Sequence, residues 1–163
     1  MPKFTIVREP FGRLLSAYRN KIERVQNNGF GRMSKSMSIK YRSNRKDKTQ
    51  RPATFEEFLK FYTNPKEKQN AHWETFRKLV QPCKYQYDYI LKLEDIELES
   101  NWLFRHFNLN MTYPKGHPKH DTHSLILSYV KDLEKSLLKR VYGKLKDDYR
   151  LFNYPVPSFL CKT

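Results

Sequence analysis

The pattern of apolar and polar residues predicts two short strands. Phe4-Thr5-Ile6-Val7 is a short apolar and β-branched run that stops ahead of Pro10, which is typical of a buried strand leading into a turn. Residues 87–93 (YDYILKL) show a second strand-like run. Helical patterns lie between and after these strands, so the sequence favours an α/β fold.

The first half of the chain contains two helical patterns. Apolar residues recur at helical spacing from Phe11 to Val25, and Pro10 suits the first turn of that helix. Thr54 and Glu57 have the spacing of a capping box ahead of an apolar run, and Pro65 follows the end of this second helix. We therefore expect one helix directly after the first strand and a shorter one from about residue 55.

The second half predicts two more helices. Residues 94–107 begin with acidic side chains, which interact favourably with the positive end of a helix dipole. Residues 109–122 contain Pro and Gly and are interpreted as a loop. Apolar residues from 126 to 141 share one face of a last helix, and an aromatic tail at 149–154 precedes the prolines that end regular structure.

Composition is typical of one folded domain with a strong positive charge. The 163 residues are 38% hydrophobic and 15% aromatic, enough for a core in a domain of this size. No run of about 18 apolar residues occurs and no apolar segment follows the first residues, so neither a transmembrane helix nor a signal peptide is expected. The two cysteines, Cys83 and Cys161, are too few for a disulfide scaffold and lack zinc-site spacing.

The formal net charge of +15 indicates an anionic partner. Nucleic acid, a membrane surface, a phosphorylated cofactor and a sulfated glycan all fit this charge. Residues 28–51 carry eight Lys and Arg against one acid with little apolar periodicity, so we interpret them as a flexible basic loop. No helix-turn-helix, zinc-finger or RNA-binding motif is present, which argues against a nucleic-acid polymer as the partner.

Arg8 and Ser16 form a candidate anion site. Arg8 follows the first strand, and Ser16 lies about 140° around the helix from Phe11 at roughly 100° per residue, away from the buried stripe. The amino terminus of a helix beside the end of a strand offers free N–H groups to phosphate, and arginine and serine add donors. The alternative is that Arg8 pairs with Glu9 or Asp95 and that Ser16 is an ordinary polar helix residue.

The segment from Val7 to Lys21 (VREPFGRLLSAYRNK) resembles the motif R-[DN]-P-x-x-R-L-x-S-A-Y-R-x-K of Golgi carbohydrate sulfotransferases. This is the family of the chondroitin and dermatan 4-O-sulfotransferases and the HNK-1 sulfotransferase. Three further segments are similar to family motifs in the same order: residues 71–83, with HW and a counterpart of L-C-x-P-C; residues 87–94, YDYILKLE; and residues 151–154, LFNY. The resemblance thus spans nearly the whole chain.

The resemblance implies a P-loop-like sulfotransferase fold, with a parallel sheet flanked by helices. It implies sulfate transfer from 3′-phosphoadenosine 5′-phosphosulfate (PAPS), without a metal, to a hydroxyl of a glycosaminoglycan-like or other glycan. Arg8 and Ser16 match the positions that bind the 3′-phosphate. The expected partners are the nucleotide co-substrate and an anionic glycan acceptor, and the expected location is the lumenal side of the Golgi membrane, reached through an anchor that these residues do not contain.

The chain also departs from the family pattern. No segment before Phe4 matches the first strand and the lysine-containing loop that hold the 5′-phosphosulfate, so residues 1–163 are expected to form part of a single sulfotransferase domain, its carboxyl-terminal portion. A missing cationic clamp of this kind commonly lowers the rate by about 10²–10³ or more. The alternative function is therefore a catalytically inactive module that binds a glycan or the desulfonated nucleotide.

His72, in the HW segment, is the candidate catalytic base. An acceptor hydroxyl must lose its proton, and histidine is suited to take it. The alternative is a structural imidazole beside Trp73. Asp88 and Glu94 flank the second strand and can orient a neighbour, but a structural role is favoured for both.

The remaining histidines and cysteines do not predict a metal site. The run H-x-x-H-x-x-H over residues 117–123 has no carboxylate or cysteine to complete a ligand shell. Val80 occupies the position of the first cysteine of the L-C-x-P-C motif, which leaves Cys83 without its neighbour. A lone buried Cys83 is favoured over pairing with Cys161.

Overall fold

The computed structural model describes residues 1–24, 29–42, 51–114 and 122–161 and contains a small parallel sheet. Strand β1 (Phe4–Val7) pairs with strand β2 (Tyr89–Lys92), with Phe4 opposite Tyr89 and Val7 opposite Lys92. Both predicted strands are confirmed as strands, although β2 is shorter than its apolar run. The expected burial of β1 is wrong for Phe4 and Ile6, which are exposed, and holds for Val7. The protein is helix-rich around this pair of strands.

Helices make up most of the described chain. They are α1 (Pro10–Tyr18), a π-helical turn (Arg19–Glu23), α2 (Gly29–Tyr41), α3 (Phe55–Thr63), α4 (Phe76–Val80), a 3-10 turn (Leu93–Asp95), α5 (Ile96–His106), α6 (Thr122–Val130), α7 (Lys135–Leu151) and α8 (Ser158–Cys161). The predicted last helix is two helices, α6 and α7, because the chain turns at 131–134 with Glu134 in an extended conformation. The apolar spacing continues across this turn, so periodicity does not reveal it. The short helices α4 and α8 were not predicted.

Helix α2 replaces much of the predicted flexible basic loop. The loop prediction is wrong for residues 29–41, and residues 43–50 lie outside the described residues. The buried face of this helix contains small polar side chains. The Ser34 hydroxyl donates to the carbonyl of Ile22 at 3.1 Å and accepts from the Ala53 N–H at 2.9 Å. Because serine lies where a core residue is usually apolar, the sequence gives only a weak helical signal.

Aromatic side chains from several helices form the core. Tyr18 of α1 packs against Phe55 and Phe58 of α3, with ring centroids 5.0 and 5.5 Å apart. Trp73 lies edge-on to Phe58 at 5.5 Å and is almost fully buried. The predicted capping box of Thr54 and Glu57 is present at the start of α3. This core supports α1 on the side away from its polar residues.

Glu67 anchors the end of α2 to the segment after α3, and its charge is expected to make stability depend on pH. Its carboxylate accepts hydrogen bonds from Lys40 and from the Tyr41 hydroxyl, and the bond from Lys40, followed by that from Tyr41, lowers the pKa of Glu67 below its usual 4.5. A carboxylate whose pKa is lowered by folding stabilises the folded state at pH values above its unfolded-state pKa. This stabilisation is lost as the pH falls through its folded-state pKa. We expect Glu67→Gln to flatten the fall in unfolding free energy below about pH 4.5.

Urea unfolding of the parent and of Glu67→Gln from pH 3 to pH 7 checks this expectation. The control is Asp132→Asn, which removes a carboxylate that is 86% exposed in the turn between α6 and α7, and we expect it to change the slope less than Glu67→Gln does. Identical acid slopes for all three proteins contradict the assignment.

Candidate functional site

Arg8 and Ser16 line one cleft beside the end of β1. The cleft has a volume of about 840 Å³, within the range of about 300–1,000 Å³ that small-molecule sites occupy. Its lining residues are Arg8, Gly12, Leu15, Ser16, Arg19, Asn20, Arg24, Ser124, Leu125 and Ser128. The first seven belong to the strand end, to α1 and to the turn after it, and the last three belong to α6. The structure therefore brings the two predicted anion-binding residues together.

The cleft is positively charged. Arg8, Arg19 and Arg24 line it, and none of its lining residues among the described part of the chain is acidic. Arg19 has a carboxylate 3.7 Å away on Glu23, whereas Arg8 forms no salt bridge with any described residue. The alternative in which Arg8 pairs with Glu9 or Asp95 is not observed. A half-buried guanidinium without an acidic partner can bind a phosphate in a bidentate manner.

The amino terminus of α1 is capped by the protein itself. The Glu9 carboxylate accepts hydrogen bonds from the backbone N–H of Phe11 at 3.2 Å and from that of Gly12. The Tyr149 hydroxyl also donates to this carboxylate. The expectation of free helix N–H groups for a phosphate is therefore wrong at these two residues, and binding in the cleft depends on side chains.

Glu94 joins three sequence segments behind the cleft. Its carboxylate accepts from the backbone N–H of Glu9 at 2.8 Å and from the Tyr154 hydroxyl at 2.7 Å. The Lys92 ammonium donates to the carbonyl of Asn153 at 3.0 Å, and Asn153 adopts a left-handed conformation with φ of 50°, which asparagine tolerates better than most residues. Glu94, at the end of the second strand segment, thus fixes the turn that contains Arg8 and Glu9.

The chain is similar in sequence to known proteins over nearly its whole length. The model of the sulfotransferase family matches residues 1–155. The chain belongs to this family. Carbohydrate sulfotransferase 11 of Rattus norvegicus is 33% identical over 97% of the chain, carbohydrate sulfotransferase 10 of Rattus norvegicus is 29% identical over 97%, and carbohydrate sulfotransferase 8 of Mus musculus is 29% identical over 95%.

The chain spans about half the length of these curated relatives. It covers 48% of the two rat proteins and 40% of the mouse protein. No solved structure matches the chain significantly. The helix-rich structure with its small parallel sheet is compatible with the sulfotransferase family.

Arg13, a further arginine of the sulfotransferase-like motif, holds the HW segment in place. Its guanidinium donates to the carbonyls of Glu74 at 2.6 Å and Ala71 at 3.0 Å, and it lies 4.3 Å from the centre of the Phe76 ring. Desolvation by burial lowers the pKa of Arg13, opposed by the charge of Asp148. Arg13 therefore does not line the cleft but links α1 to residues 71–76.

His72 lies outside the cleft lining. It is exposed, and its ring packs edge-on against Phe30 of α2 with the centroids 5.5 Å apart. Its neighbour Trp73 is 1% exposed and lies in the core.

The cysteines and the predicted loop histidines form no cluster in the described structure. Cys83 and Cys161 are both exposed and unpaired, so the prediction of a buried Cys83 is wrong. No group of three or more His, Cys, Asp or Glu side chains within the described ranges is arranged to hold a metal ion. His117 and His120 lie outside those ranges. Across the same ranges no helix is long and apolar enough to span a bilayer.

Several lysines and arginines that could contact an anionic glycan have acidic partners instead. Lys40 contacts Glu67, Arg77 lies 3.3 Å from Asp147, and Lys78 lies 3.4 Å from Glu74. Such contacts reduce the charge that these side chains can offer to a polyanion. Other basic residues, among them Arg45, Lys46, Lys48, Lys115 and Lys119, lie outside the described residues.

Arg19, Arg24 and the α6 residues of the cleft were not identified from the sequence. Arg19 is part of the family-like segment and Arg24 follows it, but their direction depends on the π-helical turn, which has no clear sequence signature. Helical periodicity places Ser124 and Ser128 away from the buried face of α6. Which element this polar face lies opposite depends on how α6 packs against α1, and sequence periodicity does not show that packing.

Proposed function

We propose that the chain is the nucleotide-binding part of a PAPS-dependent carbohydrate sulfotransferase. The observation that carries this proposal is the shared cleft of Arg8 and Ser16, the two residues that the family motif assigns to the 3′-phosphate. Arg19 and Arg24 add positive charge to the same cleft, which suits a ligand with more than one anionic group. Membership of the sulfotransferase family agrees with this ligand.

In the proposed mechanism the cleft fixes the donor and a base activates the acceptor. Arg8 holds the 3′-phosphate through a bidentate contact, and the Ser16 hydroxyl donates a further hydrogen bond. The donor supplies an activated sulfuryl group: the acceptor oxygen bonds to sulfur while the bond from sulfur to the bridging phosphate oxygen breaks. His72 is proposed to take the proton of the acceptor hydroxyl.

The finer features of the proposal follow from the family resemblance. They are a P-loop-like fold, a glycosaminoglycan-like or other glycan as acceptor, and action on the lumenal side of the Golgi membrane. No segment of this sequence matches the lysine-containing loop that holds the 5′-phosphosulfate in the family, so residues 1–163 account for the 3′-phosphate half of the donor site. Binding is therefore the first property to test.

Calorimetric titration of the full chain with two nucleotides tests the proposed function. Adenosine 3′,5′-bisphosphate carries the phosphate that Arg8 is proposed to bind, and adenosine 5′-phosphate lacks it. We expect the bisphosphate to bind at least about tenfold more tightly, since a charge-assisted contact contributes roughly 1.5–3 kcal/mol. Equal affinities for the two nucleotides, or no binding of the bisphosphate, contradict the proposal.

A second test concerns the proposed glycan acceptor. The basic segment is residues 28–51. If this segment binds a sulfated glycan, affinity for chondroitin sulfate should fall with rising salt, because cation contacts release counterions from the polyanion. Neutralising a cluster of four cations in this segment is expected to lower affinity and to flatten the salt slope more than neutralising four scattered exposed cations. The two variants replace Arg42, Arg45, Lys46 and Lys48, or Lys3, Arg105, Lys131 and Lys139, with glutamine.

Both variants are compared by elution from a glycosaminoglycan column and by Kd against salt concentration, and circular dichroism confirms folding. Equal slopes for the two variants contradict a binding role for the basic segment. They leave the nucleotide proposal unaffected.

A further inference from the structure

We infer that helix α6 forms the second wall of the cleft and contacts the nucleoside part of the bound nucleotide. This inference rests on the proposed function, since it concerns the same nucleotide, but it assigns a role to residues outside the family-like motif. The α6 residues that line the cleft are Ser124, Leu125 and Ser128.

Helix α6 is fixed in place by apolar packing and by one polar contact. Ile126 and Val130 are buried in the core at 7% and 6% exposure. The ring of Tyr129 packs edge-on against Phe55 at 5.5 Å, and its hydroxyl donates to the carboxylate of Glu23. The helix is therefore held against the π-helical turn, which begins with Arg19 and is followed by Arg24.

Glu23 connects the two walls of the cleft. Besides accepting the hydrogen bond from Tyr129, its carboxylate lies 3.7 Å from the guanidinium of Arg19. Arg19 belongs to the charged wall and Tyr129 to α6, so the carboxylate of Glu23 links the two walls in addition to the apolar packing of α6. A ligand in the cleft therefore lies between surfaces whose separation is set by the fold.

The orientation of α6 follows from helical geometry. Ser124 and Ser128 are four residues apart and share one face, roughly 160° around the helix from Ile126 at ~100° per residue. Because Ile126 points into the core, this face points away from it. Leu125 lies between the buried face and the serine face and also reaches the cleft.

The two walls differ in chemistry. The wall made by β1, α1 and the following turn carries three arginines, whereas the described α6 wall carries two hydroxyls and a leucine and no charge. An arginine wall suits phosphate groups. A wall of hydroxyl and apolar groups suits a ribose and a purine, which need hydrogen bonds and apolar contact rather than countercharge.

The existing hydrogen bond of Ser128 indicates which ligand group it binds. Its hydroxyl donates to the carbonyl of Leu125 at 2.7 Å, which uses its single hydrogen. In the cleft that Ser128 lines, its oxygen is therefore left to act as an acceptor. Its partner on the ligand must be a donor, such as a ribose hydroxyl or the exocyclic amino group of adenine.

The test compares a ligand that has a nucleoside with one that does not. Adenosine 3′,5′-bisphosphate and inorganic pyrophosphate are titrated into the parent and into three variants: Leu125→Ala, Ser128→Ala and Ser128→Trp. We expect Leu125→Ala and Ser128→Ala to weaken bisphosphate binding about three- to tenfold and Ser128→Trp to weaken it more by filling the cleft. Pyrophosphate binding by the two alanine variants is expected to stay within about twofold of the parent.

The matched control is Leu127→Ala, which removes a leucine from α6 that is 43% exposed and does not line the cleft. It should bind both ligands like the parent, and thermal unfolding followed by circular dichroism confirms that each variant folds. Ser128 lies at the surface, so its variants keep the test valid if Leu125→Ala unfolds.

Each outcome is decisive. Parent-like bisphosphate binding by both Ser128 variants, or an equal loss of affinity for pyrophosphate in the alanine variants, overturns the role of α6 and leaves the proposed function intact. Failure of the parent to bind the bisphosphate overturns both.

Discussion

Replacing Arg8 with alanine is expected to weaken binding of adenosine 3′,5′-bisphosphate about 10- to 100-fold. A charge-assisted hydrogen bond contributes roughly 1.5–3 kcal/mol, and each 1.4 kcal/mol corresponds to about a factor of ten. Arg8 has no acidic partner among the described residues that would lower this contribution. Ser16→Ala removes a neutral donor and is expected to cost about two- to tenfold.

The control for this prediction is Arg140→Ala, which removes the same charge from the exposed surface of α7. If the cleft attracted the nucleotide only through net charge, the Arg140 and Arg8 variants would lose similar affinity. Isothermal titration calorimetry at one ionic strength, with unfolding curves to verify the fold, separates the two cases. Parent-like binding by both Arg8→Ala and Ser16→Ala removes the basis for assigning the 3′-phosphate to this cleft.

Replacing Trp73 with alanine is expected to lower the free energy of unfolding by about 3–5 kcal/mol, the usual cost of removing a large aromatic side chain from a core. Trp73 is 1% exposed and lies edge-on to Phe58 and Phe61, with ring centroids 5.5 and 6.4 Å away. Its neighbour His72 is exposed, so His72→Ala is expected to change stability by no more than about 0.5 kcal/mol.

Urea unfolding of both variants measures this contrast between adjacent residues. The two variants also distinguish a structural from a catalytic role in the HW segment. In a protein that also contains the loop that holds the 5′-phosphosulfate, His72→Ala should lower kcat while keeping the parental stability. His72→Gln should not restore the rate. A loss of stability in His72→Ala comparable to that in Trp73→Ala shows that the histidine is structural. Parental turnover in His72→Ala excludes it as the base.

The elements that sequence predicted well are those whose signals are local. The capping box of Thr54 and Glu57 consists of residues three apart, and its hydrogen bonds lie within the same turn. The first strand and helix are similarly encoded by adjacent apolar residues. Helix α2 was missed because its buried face contains Ser34 and Ser38, and the hydroxyl of Ser34 is satisfied by the backbone of Ile22 and Ala53, which lie outside the helix.

The site was predicted only in part for the same reason. Arg8 and Ser16 were found because they lie on one continuous segment. The cap on α1 was not foreseen, although Glu9 is adjacent to Arg8, because the residues that orient it, Glu94 and Tyr149, are 85 and 140 residues away along the chain. The second wall of the cleft comes from α6, and no pattern within a helix reveals which element it packs against.

The capped helix and the arginine side chains also determine how the cleft responds to acidity. None of its described lining residues is a histidine, lysine, cysteine, tyrosine or carboxylic acid, and arginine keeps its proton throughout the physiological range. If the cleft binds the proposed nucleotide, the ionisation that changes near neutral pH is therefore that of the ligand and not that of these described lining residues. A phosphate monoester gains its second negative charge near pH ~6, so we expect affinity for the nucleotide to rise with pH through that value.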